Sequence, residues 1–178
     1  ALQSWAQNNQ QAALAELCSE FAAHSQSGIT RLLNGPTGER NSYAILPREH
    51  VLCLAEVEGD LLTQLAAVLA VGGSAVWPEG ELTKAVFARL PKALQAKITL
   101  VADWTKDEVT LDAVLHHGHS DQLRQVCQQV AKRAGAIVGV QGLSQGETNV
   151  ALERLVIERA LSVNTAAAGG NASLMTIG

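Results

Sequence analysis

Three histidines lie within four residues, in the run His116-His117-Gly118-His119, and histidine is a frequent metal ligand. An apolar segment, Leu111 to Leu115, precedes the run and has the pattern of a strand, beyond whose carboxyl end ligands usually bind in α/β folds. Because adjacent strand residues point to opposite faces, at most His117 and His119 can converge. Tetrahedral zinc takes three or four protein ligands. We therefore predict no metal site and interpret the run as an exposed polar loop.

The three cysteines, Cys18, Cys53 and Cys127, are an odd number without a CxxC pair. Cys53 falls in an apolar run that predicts a buried strand, and the other two fall in segments with helical patterns. A nucleophilic thiol needs exposure and an electropositive setting, and neither is indicated here. The sequence therefore predicts no catalytic residue among them, and reduced thiols suit the cytosol.

In dinucleotide-binding folds, the turn after the first buried strand holds the phosphates. Here this turn is Glu56-Val57-Glu58-Gly59-Asp60. Its three carboxylates would repel a pyrophosphate, and the glycine-rich fingerprint of dinucleotide folds is missing. The pair Gly72-Gly73 follows a helical segment and is typical of a helix end, whereas phosphates bind at helix starts. We predict no cofactor-binding residue in this chain. A retained nucleotide or small-molecule site, acting as a regulatory module, is the alternative that the fold class keeps open.

Composition indicates one domain, or one domain with an appendage. The 178 residues carry a formal charge of −4, which gives no reason to expect nucleic acid as a partner. No apolar run reaches the length of a membrane span, and the first residues lack the pattern of a signal peptide. A cytoplasmic location is expected. Because no initiator Met is present, we expect the chain to be processed or excised from a longer protein.

Alternating strand and helix patterns predict an α/β fold: a Rossmann-like parallel sheet with helices on both faces, plus a protruding β-hairpin and a C-terminal strand and tail. Residues 1–150 are expected to form the Rossmann-like domain, and residues 151–178 the strand and tail. The strands are predicted at 29–33, 42–46, 51–55, 74–77, 98–102, 111–115, 136–140 and 155–163, and the helices at 3–25, 60–71, 81–90 and 121–134, the last with Ser120 as its N-cap.

The C-terminal stretch changes character along its length. Glu158 and Arg159 stand between apolar residues, and on a strand they would point to opposite faces, as an ion pair to another domain or as a solvated edge. The small residues that follow allow the backbone to lie close against another surface. Without that surface, we predict disorder from about Ala166 onward, because few apolar side chains are present to offset the ordering entropy.

The stretch GPTGERNSYAILPREHVLCLAEVEGDLLTQLAAVLAVGGSAVW resembles a segment of the aldehyde dehydrogenase superfamily. The end, ERALSVNTAAAGGNASLMTIG, is similar to the C-terminus of the proline utilization A family of large bifunctional flavoenzymes. This resemblance implies a C-terminal aldehyde-dehydrogenase-like domain that is non-catalytic. It also implies an FAD-dependent proline dehydrogenase and an NAD-dependent glutamate semialdehyde dehydrogenase upstream in the same polypeptide, with no cofactor in this chain.

The resemblance further implies that the C-terminal motif covers the tunnel between the two active sites and that the hairpin at 29–46 packs on neighbouring domains. A homodimer formed through the hairpin or the C-terminal strand is a further alternative. The family also implies a cytoplasmic enzyme that can associate peripherally with membranes. The residues carried over to the tunnel lid and interface are Glu158, Arg159, Ser162, Asn164, Thr165, Gly169, Gly170 and Asn171.

Overall fold

The computed structural model describes residues 1–164, which form two separate sheets and their covering helices. The helices are α1 (Leu2–Asn8), α2 (Ala12–His24), α3 (Glu58–Val71), α4 (Glu81–Arg89), α5 (Lys92–Gln95), α6 (Ser120–Ala131) and a 3₁₀ helix (Leu152–Leu155). The strands are β1 (Thr30–Leu33), β2 (Glu39–Pro47), β3 (His50–Leu54), β4 (Ser74–Pro78), β5 (Ile98–Val101), β6 (Ala113–His117), β7 (Gly139–Leu143) and β8 (Val156–Asn164).

The larger sheet has five parallel strands in the order β5-β4-β3-β6-β7. The chain moves outward from β3 to β5 and then returns to the other side of β3, so the order reverses between β3 and β6. Helices α3 and α4 contribute to one buried cluster, and Val130 of α6 contributes to a second one on the other side. The predicted Rossmann-like sheet with helices on both faces is confirmed.

Helix α3 is the centre of the larger cluster. Ten of its 14 residues are buried, because the parallel sheet lies on one side of it and α2 lies on the other. Leu65 and Val68 are fully enclosed. The helix ends at Gly72, whose φ of 89° is the left-handed conformation that glycine adopts without strain.

The prediction of one helix at 3–25 is wrong, because the helix is interrupted between α1 and α2. Gln10 has a φ of 60°, and the Asn9 side chain donates to the Trp5 carbonyl, so local polar contacts replace the helical ladder. The turn folds α1 against α2. The Trp5 indole thereby donates to the Arg89 carbonyl at the end of α4.

Two predicted strands are displaced toward the C-terminus. The segment predicted at 111–115 is β6 at 113–117, and the one predicted at 136–140 is β7 at 139–143. Asp112 explains the first shift, since its carboxylate accepts from the His50 N–H and occupies the position before the ladder begins. Ser120 is the first residue of α6, not its N-cap as predicted, and His119 holds the cap position.

The smaller sheet contains the predicted hairpin. Strand β2 lies at its centre and pairs antiparallel with β1 on one side and with β8 on the other. The C-terminal strand therefore completes the hairpin of its own chain. We call this unit, β1, β2 and β8, the flap sheet.

Within residues 1–164, no helix combines the length and the apolar character that crossing a bilayer requires.

Candidate functional site

One face of the flap sheet carries exposed apolar side chains. The register places Leu161 opposite Ser42, which in turn lies opposite Leu32, and places Ile157 opposite Leu46. Directly opposed residues of antiparallel strands share a face. The apolar face, as we call it, is formed by Leu32, Leu46, Ile157, Leu161 and Val163, and four of these side chains remain 41 to 68% exposed.

Two arginines share this face. Arg159 lies between Ile157 and Leu161 along β8, and Arg40 lies opposite Val163 near the far end of the pair. An exposed apolar surface that also contains guanidinium groups is a common composition of protein interfaces. The face can therefore dock on a surface that offers both apolar contact and carboxylates.

The opposite face of the flap sheet is polar along β8, although Leu33 of β1 and the buried Ile45 of β2 also lie on it. Glu158, Ser162 and Asn164 alternate along β8 on this side, so Glu158 and Arg159 point to opposite faces. A hydrogen bond between Tyr43 and Glu158 raises the pKa of the Tyr43 hydroxyl, because losing its proton would place two negative charges together. Of the remaining residues expected at the lid, Thr165, Gly169, Gly170 and Asn171 lie outside the described residues, as does the predicted disorder from Ala166.

The base of the flap sheet is fixed to the domain by Arg48. Its backbone N–H donates to the Leu155 carbonyl at 2.8 Å, and its guanidinium donates to the carbonyls of Arg154 and Asp112, each at 3.1 Å. Leu155 itself is 1% exposed and packs in the main core. This clamp sets the direction in which β2 and β8 leave the body of the domain.

The histidine run does not form the expected exposed loop. His116 and His117 end strand β6 and are 5% and 2% exposed, and only His119 is at the surface. His117 and His119 do not converge, because His117 is engaged inside the fold. Among residues 1–164, no group of three histidine, cysteine, aspartate or glutamate side chains could hold a metal ion.

His117 is the centre of a buried polar bridge. Its Nδ1 accepts from the Gln64 amide at 2.8 Å, its Nε2 donates to the Glu147 carbonyl at 2.8 Å, and Gln64 also donates to the Leu54 carbonyl. Asp60, one turn earlier on α3, accepts from the Gly146 N–H at 2.9 Å. The bridge ties α3 to the loop that leads toward β8. The signal in the sequence is a pair of polar residues, Asp60 and Gln64, four apart in a mostly apolar helix.

A cleft of about 580 Å³ lies at the carboxyl ends of β3, β4 and β6. The three carboxylates of the turn after β3 have different environments. Glu56 lines the cleft, Glu58 forms an ion pair with Arg89 at 2.6 Å, and Asp60 is buried in the polar bridge. Only one of the three therefore faces the place where a dinucleotide would bind in this fold class.

Cys53 lies in a strand and Cys18 and Cys127 lie in helices, as the patterns predict, but the exposure of Cys127 was not expected. Cys53 is fully buried in β3, and burial raises the pKa of its thiol to about 12. Burial also raises the pKa of Cys18, and Cys127 is exposed on α6. A thiol with a raised pKa is a poor nucleophile at neutral pH, because its thiolate population is small.

Comparison with solved structures identifies the fold as aldehyde-dehydrogenase-like. A proline utilization A structure with proline bound in remote sites matches 74% of this chain and 15% of its own length, with a TM-score of 0.55 and 19% identity. An NAD-dependent benzaldehyde dehydrogenase from Corynebacterium glutamicum matches 73% of this chain and 31% of its own length, with a TM-score of 0.51 and 17% identity.

Sequence comparison then shows the family. The chain is 57% identical over its whole length to the bifunctional protein PutA of Salmonella typhimurium and 35% identical over 168 residues to that of Rhizobium meliloti. It spans 13% of the length of the first relative and 14% of the second. No protein-family model matches. The chain corresponds to a segment of the proline utilization A proteins, which confirms the resemblance read from the sequence.

Proposed function

We propose that this chain is a non-catalytic structural domain of a bifunctional enzyme that oxidises proline to glutamate. Its role is to cover the tunnel between two active sites and to aid the association of domains or subunits. FAD and NAD belong to upstream dehydrogenase domains of the same polypeptide, in the cytoplasm. The observation that carries this proposal is the apolar face of the flap sheet, which leaves large apolar side chains uncovered.

The apolar face provides the energy for docking. Burial of apolar surface contributes roughly 25 cal/mol per Å², and Leu32, Ile157, Leu161 and Val163 still have much of theirs to bury. Arg40 and Arg159 on the same face can form charge-assisted hydrogen bonds with carboxylates of the covering surface. The apolar contacts would supply affinity, and the arginines would fix the position of the docked sheet.

The lid follows from where β8 ends. Asn164 lies opposite Glu39, at the far end of the nine-residue pairing that begins where Val156 lies opposite Pro47. Residues 165–178 therefore continue from the tip of the flap sheet. We place this segment across the tunnel opening, with its backbone groups paired to the covered surface. Such a lid does no chemistry and keeps a reactive intermediate from bulk water.

The test is coupled turnover in the full-length polypeptide lacking 165–178. We expect each dehydrogenase to keep its rate with its own substrate supplied directly. With proline as the only oxidisable substrate, the lag before NADH appears should lengthen, because the intermediate escapes. An unchanged lag would contradict the lid.

Docking is tested separately by Leu161→Gln in the full-length polypeptide. This change should weaken the docking of the flap sheet and lengthen the same lag. Ala160→Gln changes the adjacent residue, which lies on the opposite face, and should have little effect. Equal effects of the two substitutions would show that the apolar face is not the docking surface.

A second candidate is association of two copies through the flap sheet, favoured by the position of β8 at an edge of that sheet. Sedimentation of the full-length Leu161→Gln protein distinguishes the two. Loss of a dimer supports subunit association, and an unchanged mass with a longer lag supports docking within one polypeptide.

A further inference from the structure

The turn of the flap hairpin contains the only Asn-Gly pair of the chain, Asn34-Gly35. Strand β1 ends at Leu33 and β2 begins at Glu39, so neither residue of the pair belongs to a strand, and both are exposed. When glycine follows asparagine, the side-chain amide is open to attack by the next backbone nitrogen, because glycine has no Cβ to hinder the approach. The residue types in this turn therefore favour a spontaneous chemical modification.

The fold leaves both reacting groups of this pair free. Within residues 1–164, the Asn34 side chain makes no hydrogen bond and the Gly35 N–H donates to no acceptor. The backbone hydrogen bond that closes the turn runs from the Glu39 N–H to the Pro36 carbonyl, at 3.1 Å, so it lies beyond the pair. A loop segment without hydrogen bonds of its own changes its backbone angles at little cost in free energy.

Asn41 is an internal contrast, because the same hairpin holds its backbone on both sides. It lies in β2, opposite Leu33 of β1 and opposite Ser162 of β8. Its side-chain amide donates to the Glu39 carboxylate at 3.5 Å, and the residue that follows it, Ser42, has a Cβ. Strand pairing on both sides fixes the backbone angles that an attack on the Asn41 amide would have to change.

We propose that Asn34 is a site of spontaneous deamidation through a cyclic succinimide. The Gly35 nitrogen loses its proton to hydroxide and attacks Cγ of Asn34, which is favoured because both groups belong to one short segment. The new N–Cγ bond forms, the Cγ–Nδ2 bond breaks, and the amide nitrogen takes a proton from water and leaves as ammonia. Water then opens the ring at either carbonyl and gives aspartate or isoaspartate. The net reaction is a hydrolysis, so water is its only co-reactant.

The product changes the tip of the flap sheet. The turn folds back on Glu39, since a Cβ on Gly35 would lie 3.9 Å from the Glu39 Cβ. Deamidation therefore adds a second negative charge close to an existing one, and isoaspartate also adds a methylene to the backbone. Glu39 lies opposite Asn164, so the change falls beside the end of β8. The modification itself does not depend on the docking role.

The experiment follows two tryptic peptides of the full-length polypeptide by mass spectrometry during incubation at neutral pH. Trypsin cleaves after arginine, so Asn34 falls in the peptide 32–40 and Asn41 in the peptide 41–48. We expect the first peptide to gain the mass difference between an amide and an acid, and to be labelled by an isoaspartyl methyltransferase, while the second stays unchanged. A sample digested at the start gives the background from the digestion itself.

Two comparisons assign the reaction to the free turn. The folded protein should react within about tenfold of the rate of the synthetic peptide LLNGPTGER, because the turn opens at little cost. Gly35→Ala should slow the reaction by about tenfold, because a Cβ hinders the attack. That Cβ would lie 2.5 Å from Nδ2 of Asn41, the end of a side chain that can move aside, and circular dichroism checks the fold.

Three results would overturn the proposal. An unreacted folded protein beside a reacting synthetic peptide would show that the fold protects Asn34. Equal conversion of the two tryptic peptides would show that the turn is not special, and an undiminished rate in Gly35→Ala would exclude attack by an unhindered nitrogen. None of these results depends on the lag measurement that tests the tunnel lid.

Discussion

The two sheets of this chain differ in how much of their surface the chain itself covers. All five residues of β6, in the parallel sheet, are buried, whereas eight of the nine residues of β8, in the flap sheet, are exposed. In both sheets every strand is paired with at least one neighbour. Pairing of strands and burial of their side chains are therefore independent of each other. In β8 of the flap sheet the strand is paired, but most of its side chains are not buried. The side chains of the parallel sheet are covered within the chain, and those along β8 of the flap sheet are not.

The sharpest test of this difference compares two leucines. Leu65→Ala in α3 should lower the free energy of unfolding of the 178-residue chain by about 2–5 kcal/mol, because it opens a cavity in a fully enclosed site. Leu161→Ala on the apolar face should change it by less than about 0.5 kcal/mol. Urea unfolding measures both. If Leu161→Ala were as destabilising as Leu65→Ala, the flap sheet would already be covered within the chain.

A smaller effect separates the adjacent histidines. His117→Leu leaves Gln64 without one acceptor and the Glu147 carbonyl without its donor, so we expect a loss of about 1–3 kcal/mol. His116→Leu removes a ring whose Nδ1 has no partner, so it should be nearly neutral in the same urea experiment. Equal losses would show that the buried polar bridge contributes nothing specific.

Cys53 gives the parallel sheet a distinct response to alkali. Its folded pKa, about 12, lies above the ordinary thiol value of 9.0, so from pH 9 upward the unfolded chain releases this proton and the folded chain keeps it. Its contribution to stability is complete below pH 9 and falls as pH rises to 12, by at most about 1.4 kcal/mol per pH unit. Urea unfolding of Cys53→Ala should show a shallower decline over that range. An equal decline would place its origin in other groups.

Tyr43 gives the flap sheet a weaker probe. It is the only tyrosine of the chain, so its ionisation is read directly by ultraviolet absorbance. Glu158→Gln removes the negative charge that disfavours the phenolate and should lower the Tyr43 pKa. Glu153→Gln, which alters an exposed carboxylate outside β8, is the matched control. An unchanged Tyr43 pKa in Glu158→Gln would mean that the two side chains do not meet in solution.

The class of fold was predictable because the strands of the parallel sheet are short, continuous apolar runs between helical patterns. Strand ends were less predictable. Apolar character extends through Leu111 to Leu115, but the Asp112 contact with His50 moves the ladder two residues onward and draws two histidines into it. A long-range contact of this kind leaves no local signal.

The candidate site was also predictable only in part. Alternation along β8 was enough to place Glu158 and Arg159 on opposite faces, since the side-chain period of a strand is local. Pairing of β8 with β2, more than 100 positions earlier, could not be derived from either segment alone. The environment of His116 was equally inaccessible, because it depends on which neighbours leave a ring nitrogen without a partner.

The clamp at Arg48 determines where the flap sheet begins and so how far it extends from the body of the domain. It fixes the start of β8, and eight residue steps at about 3.4 Å each carry the chain roughly 27 Å before Asn164. The flap sheet therefore acts as a rigid arm whose length is set by strand geometry. Lengthening or shortening β2 and β8 together by two residues would preserve every facing side chain while moving the starting point of the last fourteen residues by about 7 Å. The distance between the body of the domain and the end of β8 is thus adjustable without redesigning the core.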